Sequence, residues 1–174
     1  MELEDLVTLV DESGAVIGQE EKLAAHEAPG KLHLAFSVFV YRPDGATLLQ
    51  CRAAGKYHFP LVWTNACCSH PRPGEDVLVA ARRRLVEELG LRVLPRPAGT
   101  FVYRAVDPAS GLVEHEYDHV LVATTVDEAR PDPVEVAALA WVAPEALLAG
   151  ETGYELTPWC LPALRIAEQA RARP

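Results

Sequence analysis

Gly74-Glu75-Asp76-Val77-Leu78-Val79-Ala80-Ala81-Arg82-Arg83-Arg84-Leu85-Val86-Glu87-Glu88-Leu89-Gly90-Leu91 is the stretch on which the fold turns. Val77, Ala81, Leu85 and Leu89 recur every four residues and draw one apolar stripe along a helix. The spacing predicts a helix from Glu75 to Leu89, closed by Gly90, the residue type that most readily takes the left-handed cap conformation. Arg83 and Arg84 lie four residues before Glu87 and Glu88, so each pair shares a face. Alone, that pattern describes a solvated salt-bridge face. The acids, however, sit at the C-terminal end of the helix, where its dipole disfavours negative charge. A divalent cation would offset that cost, and hard cations such as magnesium prefer carboxylate together with phosphate oxygens.

Upstream stands Thr64-Asn65-Ala66-Cys67-Cys68-Ser69-His70-Pro71. In an extended segment side chains alternate, so Cys68 and His70 point to one side and set a thiol beside an imidazole. Downstream, Val113-Glu114-His115-Glu116-Tyr117 puts two carboxylates on one strand face, about 7 Å apart from the strand rise. They repel unless a cation or a shared proton intervenes; an exposed strand edge is the plainer alternative. His115 points the other way and reads as structural. His26 and His33 flank the entry to a strong strand. Together with His70 and the two glutamates they make a set compatible with a six-coordinate nitrogen and oxygen site. Imidazoles suit zinc, manganese or iron better than magnesium. A structural zinc site on Cys67, Cys68 and His70 competes, although adjacent cysteines lack the usual two-residue spacer. Lys22, Arg52, Lys56 and Arg84 are the cations nearest these motifs, and two of the chain's three lysines are among them. They read as ordinary surface charge or as a diphosphate clamp. Trp159, after Pro158, is a core residue or an indole face able to stabilise a cation.

Around these motifs the pattern is mixed. Leu6 to Val10, Leu32 to Arg42, Ala46 to Arg52, Gly99 to Val106, Val113 to Thr125 and Ala138 to Val142 read as extended. Pro43-Asp44-Gly45 predicts a hairpin joining the second and third of these. Pro144 to Leu148 and a segment after Thr157-Pro158 read as helical. The expected fold is α/β or α+β, a mixed β-sheet sandwich flanked by helices in a single domain spanning 1–174. With 174 residues, 49% apolar and 24% charged, the composition is that of a soluble globular protein. Met1-Glu2-Leu3-Glu4-Asp5 is acidic where a signal peptide would be basic, and no apolar run is long enough to cross a bilayer. A cytoplasmic protein without a membrane partner is expected. A net charge of −9 argues against nucleic acid but not against a diphosphate held by local cations and a metal. Cys51, Cys67, Cys68 and Cys160 do not suggest a disulfide framework.

The helix resembles the Nudix motif: Glu75, Arg83, Leu85, Glu87, Glu88 and Gly90 fall on its positions. Ser69 stands where the motif usually has glycine, and Arg84 where a hydrolase usually has glutamate. Combined with Glu21-Lys22-Leu23-Ala24-Ala25-His26, Leu32-His33, Val62-Trp63-Thr64-Asn65, Cys68-Ser69-His70-Pro71, Tyr103-Arg104-Ala105, Glu114-His115-Glu116 and Pro158-Trp159, the chain from about Glu20 to Ala170 resembles type I isopentenyl-diphosphate isomerases. That resemblance implies interconversion of isopentenyl and dimethylallyl diphosphate, a step of isoprenoid biosynthesis, by proton transfer through a tertiary carbocation. It implies Cys68 and Glu116 as catalytic groups. His26, His33, His70, Glu114 and Glu116 would hold one divalent ion (manganese, zinc or magnesium), and Glu88 a magnesium that arrives with the diphosphate. Lys22, Arg52, Lys56 and Arg84 would contact the diphosphate, and Trp159 the hydrocarbon. A small-molecule partner and a monomer are expected. A Nudix pyrophosphohydrolase and a non-catalytic diphosphate or metal-binding module are the rival readings. The first would release phosphate; the second would bind without turnover.

Overall fold

The structure, a computed structural model, describes residues 5–173; the acidic start at Met1–Glu4 lies outside them. Its centre is β3 (His33–Tyr41), which runs parallel to β8 (Val113–Thr124) from His33↔Glu116 to Tyr41↔Thr124. The mixed sheet expected from the sequence is therefore present. β7 (Arg96–Val106) lies antiparallel on the far side of β8, with Tyr103 opposite Glu116. The other edge of β3 is divided among three strands. β1 (Leu6–Val10) meets it at His33, β6 (Cys67–Ser69) covers Phe36 to Val38, and β4 (Thr47–Arg52) touches it only at Tyr41↔Thr47.

That last point corrects the expected hairpin. The turn at Pro43–Gly45 is there, but β4 leaves β3 at once. It pairs instead with β9 (Val136–Val142) and β5 (Trp63–Asn65). A strand edge offers one row of hydrogen-bonding groups, and β6 already occupies that row of β3. The sheet consequently branches and curls. β2 (Val16–Glu21), β5, β6 and the short α1 (Lys22–His26) were not anticipated as elements. β2 is an edge strand with an acidic end, and the others are too short for a periodic signal.

The helix α2 (Val77–Leu89) begins two residues later than expected. Asp76 caps it, accepting from Leu78 N at 2.9 Å and Val79 N at 3.2 Å, while Glu75 stays in the preceding loop. Gly90 ends it at φ 64°. Ala81, Leu85 and Leu89 are fully buried and Val77 half-buried. They pack on Phe36, Val38, Val40, Leu121 and Ala123, one face of β3 and β8. The opposite face, through Phe39, Tyr41, Val120 and Val122, packs on α4 (Cys160–Arg171) with Leu164 and Ala167. α3 (Pro144–Leu148) adds Leu147 to that core. Each fully buried Leu, Val or Phe among them contributes about 1.5–3 kcal/mol over exposure. By strand alternation, His33 and Ser37 on β3, and Glu114, Glu116 and Asp118 on β8, share the α4 face at the N-terminal ends of both strands.

Candidate active site

On that face five side chains converge. One ligand atom from each of His26, His33, His70, Glu114 and Glu116 lies within 4.8 Å of every other. Register explains the pair on the two parallel strands, because His33 is directly beside Glu116. His26 ends α1, whose first turn is fixed by the Glu21 side chain accepting from Leu23 N and Ala24 N. Gly30, at φ 82°, lets the connecting loop lie against β8, since a Cβ there would meet Val113 Cγ1 at 2.5 Å. His26 Nδ1 lies 2.6 Å from Lys22 O and His33 Nδ1 2.8 Å from Lys31 O. Carbonyls only accept, so both rings carry a proton on Nδ1 and present Nε2 to the cluster, where a bound ion would take its lone pair. There His33 Nε2 faces His70 Nε2 at 3.1 Å, and His70 Nε2 faces Glu116 Oε1 at 2.8 Å. Converging nitrogen lone pairs and two buried carboxylates form a donor set that fits a divalent cation.

The electrostatics agree. Burial alone would raise the Glu114 carboxyl, but the hydrogen bonds and charges of His26 and His58 hold it well below the usual carboxylate range. For Glu116, burial and the Glu114 charge push up while His33 and His70 bring the group down on balance. Burial takes His70 well below the ordinary histidine value, which favours the neutral imidazole. His26 is raised despite burial, because Glu114 bonds to it at 3.1 Å. His115 turns away and bonds to Gly30 O at 3.0 Å, a structural contact.

Cys68 sits beside this cluster in a cradle of polar groups. Its thiol donates to Asn65 Oδ1 at 2.9 Å, and Trp159 Nε1 donates to its sulfur at 3.1 Å. Ser37 Oγ and Thr64 Oγ1 each lie 3.7 Å from the sulfur. Asn65 is itself locked by its amide bonds to Val38 O and Cys67 O, so only its oxygen is free for the thiol. Burial, then the nearby Asp118, pushes the Cys68 thiol up to about 12. Cys68 is therefore a neutral S–H group. Asp118, two positions beyond Glu116, is fully buried against Ser37 Oγ at 2.6 Å; burial and the Glu116 charge raise its pKa well above normal. Cys67 points into the α2 core instead and is completely buried. The zinc alternative on Cys67, Cys68 and His70 thus fails, because the two thiols leave the strand on opposite faces.

One cavity is lined by Cys68, His70, Glu114, Glu116 and Trp159 and also by Lys22, Arg52, Lys56 and Arg84. Among the described residues these cations have assigned work. Arg84 bonds to Glu88 Oε1 at 2.6 Å and Glu87 Oε2 at 2.9 Å, and lies 3.2 Å from Glu135. Lys56 pairs with Glu135. Arg52 is buried and donates to Phe59 O and His58 O, both at 3.1 Å, so it braces a loop as well as lining the cavity. Burial, with Lys56 and Arg84 nearby, lowers the Lys22 pKa. Glu88 is buried with Arg84 on one oxygen and Gln50 Nε2 on the other at 3.0 Å.

Four residues in and around the cavity were given no role from sequence. Tyr103 places its hydroxyl 2.5 Å from Glu116 Oε2 and stacks on Trp159 with ring centres 5.7 Å apart. His58 contacts Glu114, Asn65 orients Cys68, and Glu135 ties Lys56 to Arg84. Tyr103 and Asn65 stand in motifs that carry the family resemblance, but the place of Tyr103 beside Glu116 comes from the pairing of β7 with β8.

The NUDIX domain family matches residues 31–160. The chain is 50% identical over 166 residues to the isopentenyl-diphosphate Delta-isomerase of Streptomyces coelicolor, covering 95% of this chain and 84% of that one. It is 51% identical over 167 residues to the protein of that name from Nocardia farcinica, covering 94% and 95%. Among solved structures, DR0079 from Deinococcus radiodurans matches with a TM-score of 0.74 at 20% identity, covering 92% of this chain and 97% of that one. The MutT protein of Methanosarcina mazei Go1 matches at 0.68 and 15% identity, covering 82% and 96%. At those identities the structural likeness speaks to the fold alone.

Proposed function

The chain belongs to the Nudix family and, within it, to the isopentenyl-diphosphate Delta-isomerases, and from that premise we propose how its own residues carry the reaction. It isomerises isopentenyl diphosphate to dimethylallyl diphosphate. The terminal alkene carbon must gain a proton and the methylene next to the diphosphate-bearing carbon must lose one. The observation that carries our reading is that Cys68 and Glu116 line one cavity and are bridged along its wall by Trp159 and Tyr103. Each exchanges one proton with one carbon. The interconversion runs both ways, so the group that donates in one direction accepts in the other. Asn65 and the Trp159 N–H hold the sulfur in position, and the Tyr103 hydroxyl holds Glu116. The indole face of Trp159 and the ring of Tyr103 stabilise the tertiary cation between the two steps, and their apolar surfaces keep out water that would quench it.

His26, His33, His70, Glu114 and Glu116 would hold a divalent ion. When bound there, it supplies the positive charge that keeps two buried carboxylates together and lowers the proton affinity of Glu116. Manganese, zinc and magnesium all accept such donors. The diphosphate lies at the cavity mouth on Lys22, Lys56 and Arg84, with Arg52 behind them. Glu88 would hold the magnesium on the oxygen that Arg84 bonds in this structure, with Gln50 keeping the other, once the Arg84 guanidinium is drawn onto the phosphate. Arg84 itself argues against pyrophosphate hydrolysis, because it stands where a hydrolase usually has a further glutamate for metal. The protein works in the cytoplasm as a monomer on this small-molecule substrate.

Proton NMR in heavy water with isopentenyl diphosphate and magnesium tests the reading. Deuterium entering the hydrocarbon while inorganic phosphate stays at background is expected. Steady phosphate release from an unlabelled carbon skeleton would replace the isomerase with a hydrolase.

A further inference from the structure

A fourth imidazole touches the metal-type cluster without belonging to it. His58 is buried, and its Nε2 contacts Glu114 Oε1, while His26 Nε2 holds the other Glu114 oxygen at 3.1 Å. Arg52 Nη2 also lies 3.4 Å from that nitrogen, but the Glu114 contact is much closer, and since a carboxylate offers no proton it places the His58 hydrogen on Nε2. His58 Nδ1 is then an acceptor, and it is buried without a hydrogen-bond partner. A ring kept only for packing would not leave one nitrogen stranded at a cost of about 1–3 kcal/mol.

The chain around His58 is fixed unusually firmly. Arg52 donates from NH2 to His58 O and from Nε to Phe59 O. Asp107, itself buried and held by Ser110 Oγ at 2.6 Å, accepts from Phe59 N at 3.2 Å. Phe59 and Leu61 occupy the left-handed region at φ 46° and 60°. Such non-glycine strain costs about 1–3 kcal/mol per residue and persists where the surroundings over-determine it, as they do at functional sites. The loop thereby points two side chains into one cavity and sets a third behind its wall. Lys56 reaches the cation-rich mouth, His58 reaches Glu114, and Phe59 stands edge-on to Trp159 with ring centres 5.3 Å apart.

We propose that His58 is a positioning residue of the metal centre, donating its Nε2–H to Glu114 and fixing the orientation in which that carboxylate meets a divalent ion. The inference rests on the five-residue metal site proposed above. Partners of this kind behind a metal ligand are worth about 10–100-fold in affinity. The site therefore takes its aim from the same loop that carries a diphosphate cation.

The test is manganese binding to metal-free protein, read by the electron paramagnetic resonance signal of the free ion and by the line shape of the bound one. His58→Ala is expected to weaken manganese binding by about 10–100-fold and to alter the bound line shape. His58→Gln, whose amide NH2 can reach the place of Nε2, is expected to restore binding to within about threefold. Should the alanine variant not fold, His58→Asn replaces it, because its shorter amide stops short of Glu114. Wild-type affinity in the alanine or asparagine variant, or no rescue by glutamine, overturns the role of His58 and leaves the five-residue site standing. A wild-type protein that takes up no manganese overturns both.

Discussion

Two rows of carboxylates are treated in opposite ways. Around α2, Glu75, Glu87 and Glu88 are each bonded by an arginine: Arg83 holds Glu75 at 2.8 and 2.9 Å, and Arg84 holds Glu88 at 2.6 Å. Along β8, Glu114, Glu116 and Asp118 are buried, and their hydrogen-bond partners among the described residues are imidazoles and hydroxyls. A guanidinium never gives up its proton, so an acid it pairs with has no proton to exchange through that contact. Imidazole, phenol and thiol can pass protons or yield a lone pair to an ion. The helix acids thus do no proton transfer, Glu75 and Glu87 serving as frame and Glu88 facing the diphosphate side, while the strand acids remain available for chemistry.

Removing one acid from each row is the sharpest way to break that contrast. Glu116→Gln keeps the shape but can neither hold nor deliver the proton, and should lower the rate of deuterium incorporation by about 10⁴-fold. Glu87→Gln, on the exposed side of α2, should change it by no more than about twofold, as surface substitutions do. Cys68→Ala should fall with Glu116→Gln, whereas Cys67→Ala, on the α2 face, should stay within about tenfold. Comparable losses in the two cysteine variants would mean that the strand face is not the reacting one.

Ion dependence separates the rows next. Adding manganese to metal-free protein should raise the melting midpoint, because an ion bound only to the folded state contributes about 4 kcal/mol at a thousandfold excess over its dissociation constant. His70→Ala should abolish that rise and reduce turnover by at least about 100-fold. A retained manganese shift in His70→Ala would remove this imidazole from the site.

Arg84→Glu tests whether the helix row also serves the substrate. Loss of a charged contact to phosphate is worth about 1.5–3 kcal/mol, so the KM for isopentenyl diphosphate should rise about 10–100-fold. An unchanged KM would make Arg84 a structural partner of Glu88 and nothing more.

The two rows were not equally legible. The α2 stripe and its arginine–glutamate spacing are local, and local periodicity survives in a single sequence. Glu114-x-Glu116 was visible for the same reason, but not its burial against histidines from α1, β3 and the position just after β6. That depends on β3 lying parallel to β8, a pairing between distant segments. Where partners compete, local reading failed: the Pro43–Gly45 turn predicted a hairpin, and β6 took the β3 edge instead. His58 and Asn65 gave no periodic signal, since their roles come from where a braced loop and a three-residue strand place them. Membership of a family supplied what pattern alone left open between a diphosphate isomerase and a hydrolase.

The smallest expected effect lies wholly within the frame. Glu75 precedes the helix, and its carboxylate receives both Arg83 bonds and Arg72 N at 2.9 Å. The Arg83 hydrogen bond holds its pKa below the ordinary glutamate value. A group depressed on folding stabilises the native state above its unfolded pKa, and the gain is lost as the pH falls through the folded pKa. Glu75→Gln should therefore cost about 1 kcal/mol near neutrality. The difference from wild type should shrink as the pH drops below about 4.5, the ordinary value from which Glu75 is lowered. Denaturant unfolding of both proteins across that range measures it. Since Glu75 touches neither thiol nor imidazole in this structure, turnover should follow stability only. A deuterium incorporation rate that fell sharply in a fully folded Glu75→Gln protein would show that the helix row reaches into the chemistry, and the division between frame and reacting strand would go with it.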